Sequence, residues 1–273
     1  MAINDISLSA GMRNNLISLQ QTNAFLNRTQ ERLSSGKKVN TALDNLTNYF
    51  AAQGYMNRAS DLTSRKDGMS EGIQAVKAAN SGISGITALI DNAKGIAQAA
   101  RSADSAGRVS LQTQYDEVMT QINNLAADAG YKGKNLLTGT DPLSNNLSVE
   151  FNESGDSSLT VNGFDARATA LNLDTSTLDT DTNIDSTVTA LTAATTTLRT
   201  ESARLAANLN IITTRQDFTT NMINTLTAGA DNLTLADMNE EGANMLMLQT
   251  RQALGTTALS LSSQAAQSVL RLF

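Results

Sequence analysis

Met69-Ser-Glu-Gly-Ile-Gln-Ala-Val-Lys-Ala-Ala79-Asn-Ser-Gly-Ile-Ser-Gly-Ile-Thr-Ala-Leu-Ile90-Asp-Asn-Ala-Lys-Gly-Ile-Ala-Gln-Ala-Ala100 decides the fold. Within it Met69, Val76, Ile83, Ile90 and Ala97 stand seven residues apart, while Gly72, Ala79, Ile86, Ala93 and Ala100 fill the alternate three-four steps. Tyr55 and Leu62 carry the first row upstream. A repeat averaging 3.5 residues, sustained over this length, specifies a helix whose apolar seam stays against a partner helix. The small residues on the second row imply that the partner comes close.

Working outward, Met12, Leu19, Leu26 and Leu33 repeat the seven-residue step near the start of the chain, with Leu16, Asn23 and Gln30 as companions, and Ile3, Ile6 and Leu8 extend the apolar character. Gly36 after Ser34-Ser35 is a good residue to stop that helix, because glycine takes the left-handed conformation at C′ without a Cβ penalty. Downstream, Leu111, Tyr115, Val118, Ile122, Leu125 and Ala129 share one face of a shorter helix that Gly130 ends. The period then changes to two. Leu147, Val149 and Phe151 alternate, as do Leu159, Val161 and Gly163, around Asn152-Glu-Ser-Gly-Asp156, which is a β-hairpin pattern. The Thr-, Asp- and Ser-rich stretch 168–185 reads as an exposed, loosely structured loop.

Helical spacing resumes at Ile184 and passes through Val188, Leu191, Leu198, Leu205, Leu209, Ile212, Ile223, Leu226 and Leu233. Thr195, Ser202, Gln216 and Thr219 soften this stripe. Thr234 with Asp237 resembles a capping box, with Asp in place of Glu or Gln. The last helix carries Met247, Leu254 and Leu261 in one row, and Leu259, Ala266 and Phe273 in another, with Val269 and Leu270 close to its end. The expected fold is therefore mainly α: a long antiparallel helical coiled-coil rod formed by both termini, with a small central β-hairpin lobe. Leu62, Met69, Val76, Ile83, Ile90, Leu205, Leu209 and Ile212 are the expected packing residues of its middle part. Met12, Leu19, Leu26, Leu33, Leu254, Leu259, Leu261, Val269, Leu270 and Phe273 are the expected self-association residues of its ends.

Composition narrows the chemistry. The 273 residues include no cysteine and no histidine, which excludes disulfides, thiolate nucleophiles, Cys/His zinc sites and a Ser-His-Asp triad. No pair of carboxylates sits in a glycosidase or metal-loop setting, so no enzyme, cofactor or metal is expected. A formal net charge of −6 argues against a nucleic-acid partner. Aromatic residues are 4% of the chain, tryptophan is absent and Pro142 is the only proline, a composition suited to long helix seams rather than a compact aromatic core. No apolar run reaches membrane-spanning length, so no membrane insertion is expected. Residues 1–10 show neither the basic nor the apolar region of a cleaved signal peptide.

The terminal helix has about ten large apolar side chains, each worth about 1.5–3 kcal/mol when fully buried. Ordering its backbone costs about 1–2 kcal/mol per residue before hydrogen bonds offset part of it. One partner helix covers only one side. The missing burial is expected from other copies, with the terminal segments ordering on assembly. Periodicity alone leaves an intracellular coiled-coil scaffold open beside a filament subunit.

Several stretches together resemble the bacterial flagellin family over nearly all of the chain. Arg32-Leu-Ser-Ser-Gly-Lys-Lys-Val-Asn-Thr-Ala-Leu-Asp44 is similar to the family's N-terminal signature, and Asp67-Gly-Met-Ser70 to its DGxS stretch. Gly130-Tyr-Lys-Gly-Lys-Asn-Leu-Leu137 resembles the segment that leads out of the helical shaft. Asn232-Leu233 and Ala236-Asp237, before a helix ending Ser268-Val-Leu-Arg-Leu-Phe273, resemble the C-terminal part. The resemblance implies a non-enzymatic subunit, exported unfolded through the flagellar secretion channel without signal cleavage and polymerised into an extracellular helical filament for swimming. It implies an export chaperone, the filament cap and hook-associated junction proteins as partners besides the chain itself. It also implies residues 1–43 and 236–273 as an inner coiled-coil domain, 44–136 and 183–235 as a helical shaft, and 137–182 as a short variable region. O-glycosylation of the Thr/Ser-rich loop is a family habit. A hook–filament junction protein is the nearest rival, set aside by the Ala-Ile-Asn start and the Val-Leu-Arg-Leu-Phe ending. Where relatives sensed by the animal innate receptor carry an LQRxRELAVQ stretch, this chain has Ile90-Asp-Asn-Ala-Lys-Gly-Ile-Ala-Gln-Ala99. Ile90 and Lys94 lie in that stretch, and Asn92 and Gly95 stand in place of an Arg and a Glu, which implies weak recognition.

Overall fold

The structure, a computed structural model, describes residues 10–139 and 145–270. Ile3, Ile6, Leu8, Pro142 and Phe273, and the side chains of Ala266, Val269 and Leu270, lie outside the described residues. In chain order the elements are α1 (Ala10–Ser35), α2 (Leu46–Ser102), α3 (Ser105–Asp128), β1 (Leu147–Glu150), β2 (Ser158–Val161), α4 (Asp181–Thr234) and α5 (Met238–Leu270). They divide into two compact units, residues 58–224 and residues 1–57 with 225–273.

In the unit of residues 58–224, α2 and α4 run antiparallel. Ser70 accepts from Gln216 at 2.6 Å, Asn80 from Ser202 at 2.6 Å, Lys94 donates to Thr192 at 3.3 Å and Arg101 to Asp185 at 2.6 Å, so partners rise along one helix as they fall along the other. Leu62, Met69, Val76, Ile83 and Ile90 of the first heptad row are buried, as are Ala79, Ile86, Ala93 and Ala100 of its companion. From α4 the seven-residue row Ile184, Leu191, Leu198, Leu205 and Ile212 meets them, with Leu209 partly buried beside it. The row continues at Thr219, also buried.

Two stripes do not exhaust the core. α3 adds Tyr115, Met119, Ile122 and Ala126. Asp104 caps its start by accepting from the Gly107 N–H at 2.8 Å. Close approach here depends on missing side chains: a Cβ on Gly82 would lie 2.6 Å from Ala129 Cβ and 2.7 Å from Leu137 Cδ1, distances at which something must move. The hairpin pairs Leu147 with Val161 and Val149 with Leu159 in antiparallel register, and it buries Val149, Phe151 and Val161. Arg58 pairs with Glu153 and Arg65 with Glu150, while the Arg215 guanidinium lies 5.2 Å from the Phe151 ring centroid.

The segment 168–185 departs from its reading as a loose exposed loop. Ala168, Leu171, Leu173 and Leu178 are buried. The Ala168 N–H donates to Asn123 at 2.9 Å, the Leu178 N–H to Gln112 at 2.8 Å, and the Tyr115 hydroxyl to the Leu173 carbonyl at 3.3 Å. The leucines occur without helix or strand period among Thr and Asp, so composition hid them. α4 also starts before Ile184: Thr180 caps it, accepting from Asn183 through Oγ1 at 3.2 Å and from Ile184 through its carbonyl at 2.9 Å. Further along α4, Thr187, Thr189, Thr192, Thr195, Thr196, Thr197 and Thr200 each turn their hydroxyl back onto the carbonyl four residues earlier.

Tyr115 provides a test of this core. Burial pushes its phenol above the ordinary value of about 10. The neutral phenol therefore contributes its full stability below pH ~10 and loses it as pH rises through the raised value. Tyr115→Phe is expected to cost about 0.5–1.5 kcal/mol at neutral pH in urea denaturation. It should also remove this residue's part of the alkaline loss, leaving a flatter stability curve above pH ~10.

Candidate functional site

The second unit, residues 1–57 with 225–273, holds the two terminal helices. α1 and α5 pack antiparallel: Arg32 bonds Glu241 at 2.8 Å, Asn23 accepts from Gln252 at 2.7 Å, and Leu19 lies against Gly255. The heptad row Met12, Leu19, Leu26, Leu33 faces this seam, Met12 buried and the three leucines half-buried. Its companion row differs from the expected one. Thr22 and Thr29 are buried, whereas Leu16, Asn23 and Gln30 are exposed. The step from leucine to companion is three residues here, and threonine does not register as apolar in a pattern search. The Thr22 hydroxyl satisfies itself on the Ser18 carbonyl at 2.8 Å, so a polar atom is buried without a missing bond.

On α5 the seam is made by Glu241, Leu248, Gln252, Gly255 and Leu259, of which Glu241 and Leu248 are buried and the others half-buried. At Gly255 the helices approach closely, since an added Cβ would lie 3.0 Å from Leu19 Cγ and Cδ2. The row Met247, Leu254, Leu261 lies outside this seam: Leu254 is 65% exposed and Leu261 62%. Leu246 is exposed beside it, and α1 leaves Leu16, Ile17 and Phe25 exposed. Each terminal helix therefore spends one face on its partner, while α5 keeps the row Met247, Leu254, Leu261 uncovered and α1 keeps Leu16, Ile17 and Phe25.

The joints at the base of these helices are hydrogen-bonded. Gly36 has φ +71° and its N–H donates to the Arg32 carbonyl at 2.8 Å, ending α1 at Ser35 as expected. The Lys38 N–H donates to the Thr234 carbonyl at 2.7 Å and the Ala236 N–H to the Gly36 carbonyl at 3.0 Å. Asp44 accepts from the N–H groups of Thr41 and Asn40 at 3.0 and 3.1 Å, the Thr41 bond doing most to hold its carboxyl below the ordinary value. At the second joint the expected capping box is corrected. Thr234 closes α4 and donates to the Ala230 carbonyl at 2.9 Å, while Asp237 caps α5, its Oδ1 accepting from Asn239 at 2.9 Å and Glu240 at 3.3 Å. Leu43, Leu46 and Phe50 stand exposed next to the first joint.

In the other unit the expected receptor stretch lies on α2. Ile90 is buried, Lys94 is half-buried and bonded to Thr192, and Asn92 and Gly95 are exposed. A depression of about 420 Å³ lies between α3 and the segment before α4, but its Arg108 is occupied by the Asp179 carbonyl and the Asp181 carboxylate. Among the described residues no group of three or more His, Cys, Asp or Glu could hold a metal ion, and no helix is long and apolar enough to cross a membrane.

Comparison with known proteins follows the same helices. Residues 3–141 match the family model for the bacterial flagellin N-terminal helical region. The chain is 31% identical over 281 residues to Flagellin FljM of Caulobacter vibrioides, covering 100% of both chains. It is 30% identical over 270 residues to a flagellin of Brucella melitensis, covering 94% of this chain and 95% of that one. A crystal structure of Bacillus cereus flagellin aligns over 56% of this chain and 88% of that chain, with a TM-score of 0.49 at 15% identity.

Two glycines of α5 are expected to respond in opposite directions. Gly255→Val presses on Leu19 and should cost about 1–3 kcal/mol by overpacking. Gly242 has nothing within 4 Å of an added Cβ, so Gly242→Ala should stabilise α5 by about 0.5–1 kcal/mol. Amide hydrogen exchange over α1 and α5 reads both, with protection falling in the first variant and rising in the second.

Proposed function

The chain belongs to the bacterial flagellin family and is a structural subunit of the flagellar filament, and we propose that it joins its copies through the uncovered apolar row of α5 and the exposed apolar residues of α1. Flagellins self-polymerise and are structural rather than enzymatic proteins. The observation that carries the proposal is the uncovered row Met247, Leu254, Leu261 on α5. Each such side chain is worth about 1.5–3 kcal/mol when it goes from water to a packed interior. One antiparallel partner cannot supply that interior, and further copies can.

In this reading Met12, Leu19, Leu26, Leu33 and Leu259 hold the helix pair together, and Leu254 and Leu261 hold pairs to one another, with Val269, Leu270 and Phe273 extending the contact. Residues 1–43 and 236–273 form the inner layer and residues 44–136 and 183–235 the shaft, whose packing rests on Leu62, Met69, Val76, Ile83, Ile90, Leu205, Leu209 and Ile212. The contact is head-to-tail and heterologous, so it does not close and grows a tube. Residues 137–182 stand where larger relatives carry outer domains. The subunit leaves the cell through the flagellar export apparatus without signal cleavage, held beforehand by an export chaperone. It is placed beneath the filament cap, above the hook-associated junction proteins. The low charge and missing bulk at Asn92 and Gly95 make the innate-receptor stretch a weak ligand.

Electron microscopy of purified protein under polymerising conditions tests the central claim. The full chain is expected to form filaments, and a chain lacking residues 237–273 is not. Leu254→Asn with Leu261→Asn should keep the helicity of the free subunit by circular dichroism and abolish polymerisation. Equally good filaments from either variant would remove the role assigned to α5. For the receptor stretch, a cell reporter assay is expected to give weak activation, and potent activation at low protein concentration overturns that part.

A further inference from the structure

Asn162-Gly163 follows β2 directly, and it is the only Asn-Gly dipeptide in the 273 residues. In a free chain this dipeptide is chemically labile. The glycine has no side chain, so its nitrogen reaches the Cγ of the preceding asparagine unhindered. That nitrogen loses its proton to solvent base and attacks Cγ. The N–Cγ bond forms, the Cγ–Nδ2 bond breaks, and the amide nitrogen takes up a proton and leaves as ammonia. Water then opens the resulting succinimide at one carbonyl or the other, giving aspartate or isoaspartate. Water and base are the only co-reactants.

The fold holds the attacking group. Asn162 is exposed and Gly163 is buried. The Gly163 N–H donates to Asn146 Oδ1 at 2.9 Å, and the Asn162 carbonyl accepts from Arg204 Nη2 at 2.8 Å. The peptide plane between them is thus fixed at both polar atoms, from the residue before β1 and from α4. Arg204 is itself placed by Glu201 at 2.7 Å. A nitrogen whose proton is given to Asn146 is not free to lose it, and it must break that bond to come within bonding distance of Cγ. No other residue can stand in for the glycine, because a Cβ there would collide with the carbonyl oxygens of Asn145 and Gly139.

We propose that Asn162 is a latent deamidation site, reactive in the unfolded chain and shut in the folded one by the bonds from Gly163 to Asn146 and from Arg204 to Asn162. The two products differ in what they do to the fold. Isoaspartate routes the backbone through the former side chain and adds a methylene beside a residue that has no room even for a Cβ. A chain that reaches isoaspartate before folding cannot close this end of the hairpin. The aspartate form keeps the backbone and turns its carboxylate to water, so it folds as before.

The test is to age the full chain at neutral pH, folded in buffer and unfolded in guanidinium chloride, and to follow the peptide holding Asn162 by mass spectrometry. Conversion is expected to be at least about tenfold slower in the folded chain, because only locally opened molecules react. Equal rates overturn the proposal. In the folded state Asn146→Ala removes the acceptor of the Gly163 N–H and should speed conversion by about twofold to tenfold. Asn146→Asp keeps an acceptor in the same place and should hold the rate near that of the natural chain. An unchanged rate in Asn146→Ala, with helicity retained, overturns the role of Asn146. Should that variant lose its fold, Arg204→Met replaces it, releasing the Asn162 carbonyl from the α4 side, and an unchanged rate there overturns the proposal equally.

Discussion

A long helix laid against one antiparallel partner buries a single stripe and leaves the rest of its circumference in water. This geometric limit governs the whole chain, because α2 and α4 are 57 and 54 residues long and tryptophan is absent. In residues 58–224 the limit is met from within. α3, the hairpin and the leucines of the 168–180 segment cover further sides of α2 and α4, so that Tyr115, Leu137, Leu173 and Leu178 join the heptad rows in one core. In the terminal unit α1 and α5 cover each other along one seam and leave leucine, isoleucine, methionine and phenylalanine side chains exposed away from it. The same sequence style thus produces a self-sufficient core in one place and an incomplete one in the other.

What the sequence disclosed followed from how strict each pattern was. The row from Leu62 to Ile90 could be read directly, since every seventh position is apolar and the helix has no interruption. The hairpin was equally plain once the period changed to two, and Leu147, Val149, Leu159 and Val161 lie in its two strands. The Thr22 and Thr29 positions were invisible because threonine does not score as apolar, although Thr22, its hydroxyl bonded to its own helix, packs as a small apolar residue. Asp237 was seen but assigned the wrong half of the cap, since an acidic residue three positions after a threonine fits either role. The Arg32–Glu241 pair joins positions 209 residues apart, and nothing local marks either as a partner. The leucine rows of α5 are legible, but the face turned to α1 is marked by Glu241, Leu248, Gln252 and Gly255, which no leucine row contains.

The hairpin shows how little of a contact list is energy. Arg58 and Arg65 reach its carboxylates in the open, where an ion pair contributes at most about 1 kcal/mol. Val149 and Phe151, both buried against the helices, do the holding. The arginines set orientation, and Arg215 stacked by Phe151 adds a lid over the apolar contact. Removing charge here would loosen the arrangement without opening it.

The threonine hydroxyls of α4, folded back onto their own carbonyls, carry a mechanical consequence. Threonine is a poor helix former, and such back-bonding weakens the ladder it joins. Between Thr187 and Thr200 α4 is therefore a helix that leans on its packing more than on its own propensity. Once Leu191 and Leu198 are lifted from that neighbour, little resists a pull along the backbone, and the stretch comes apart as a yielding thread rather than a stiff rod.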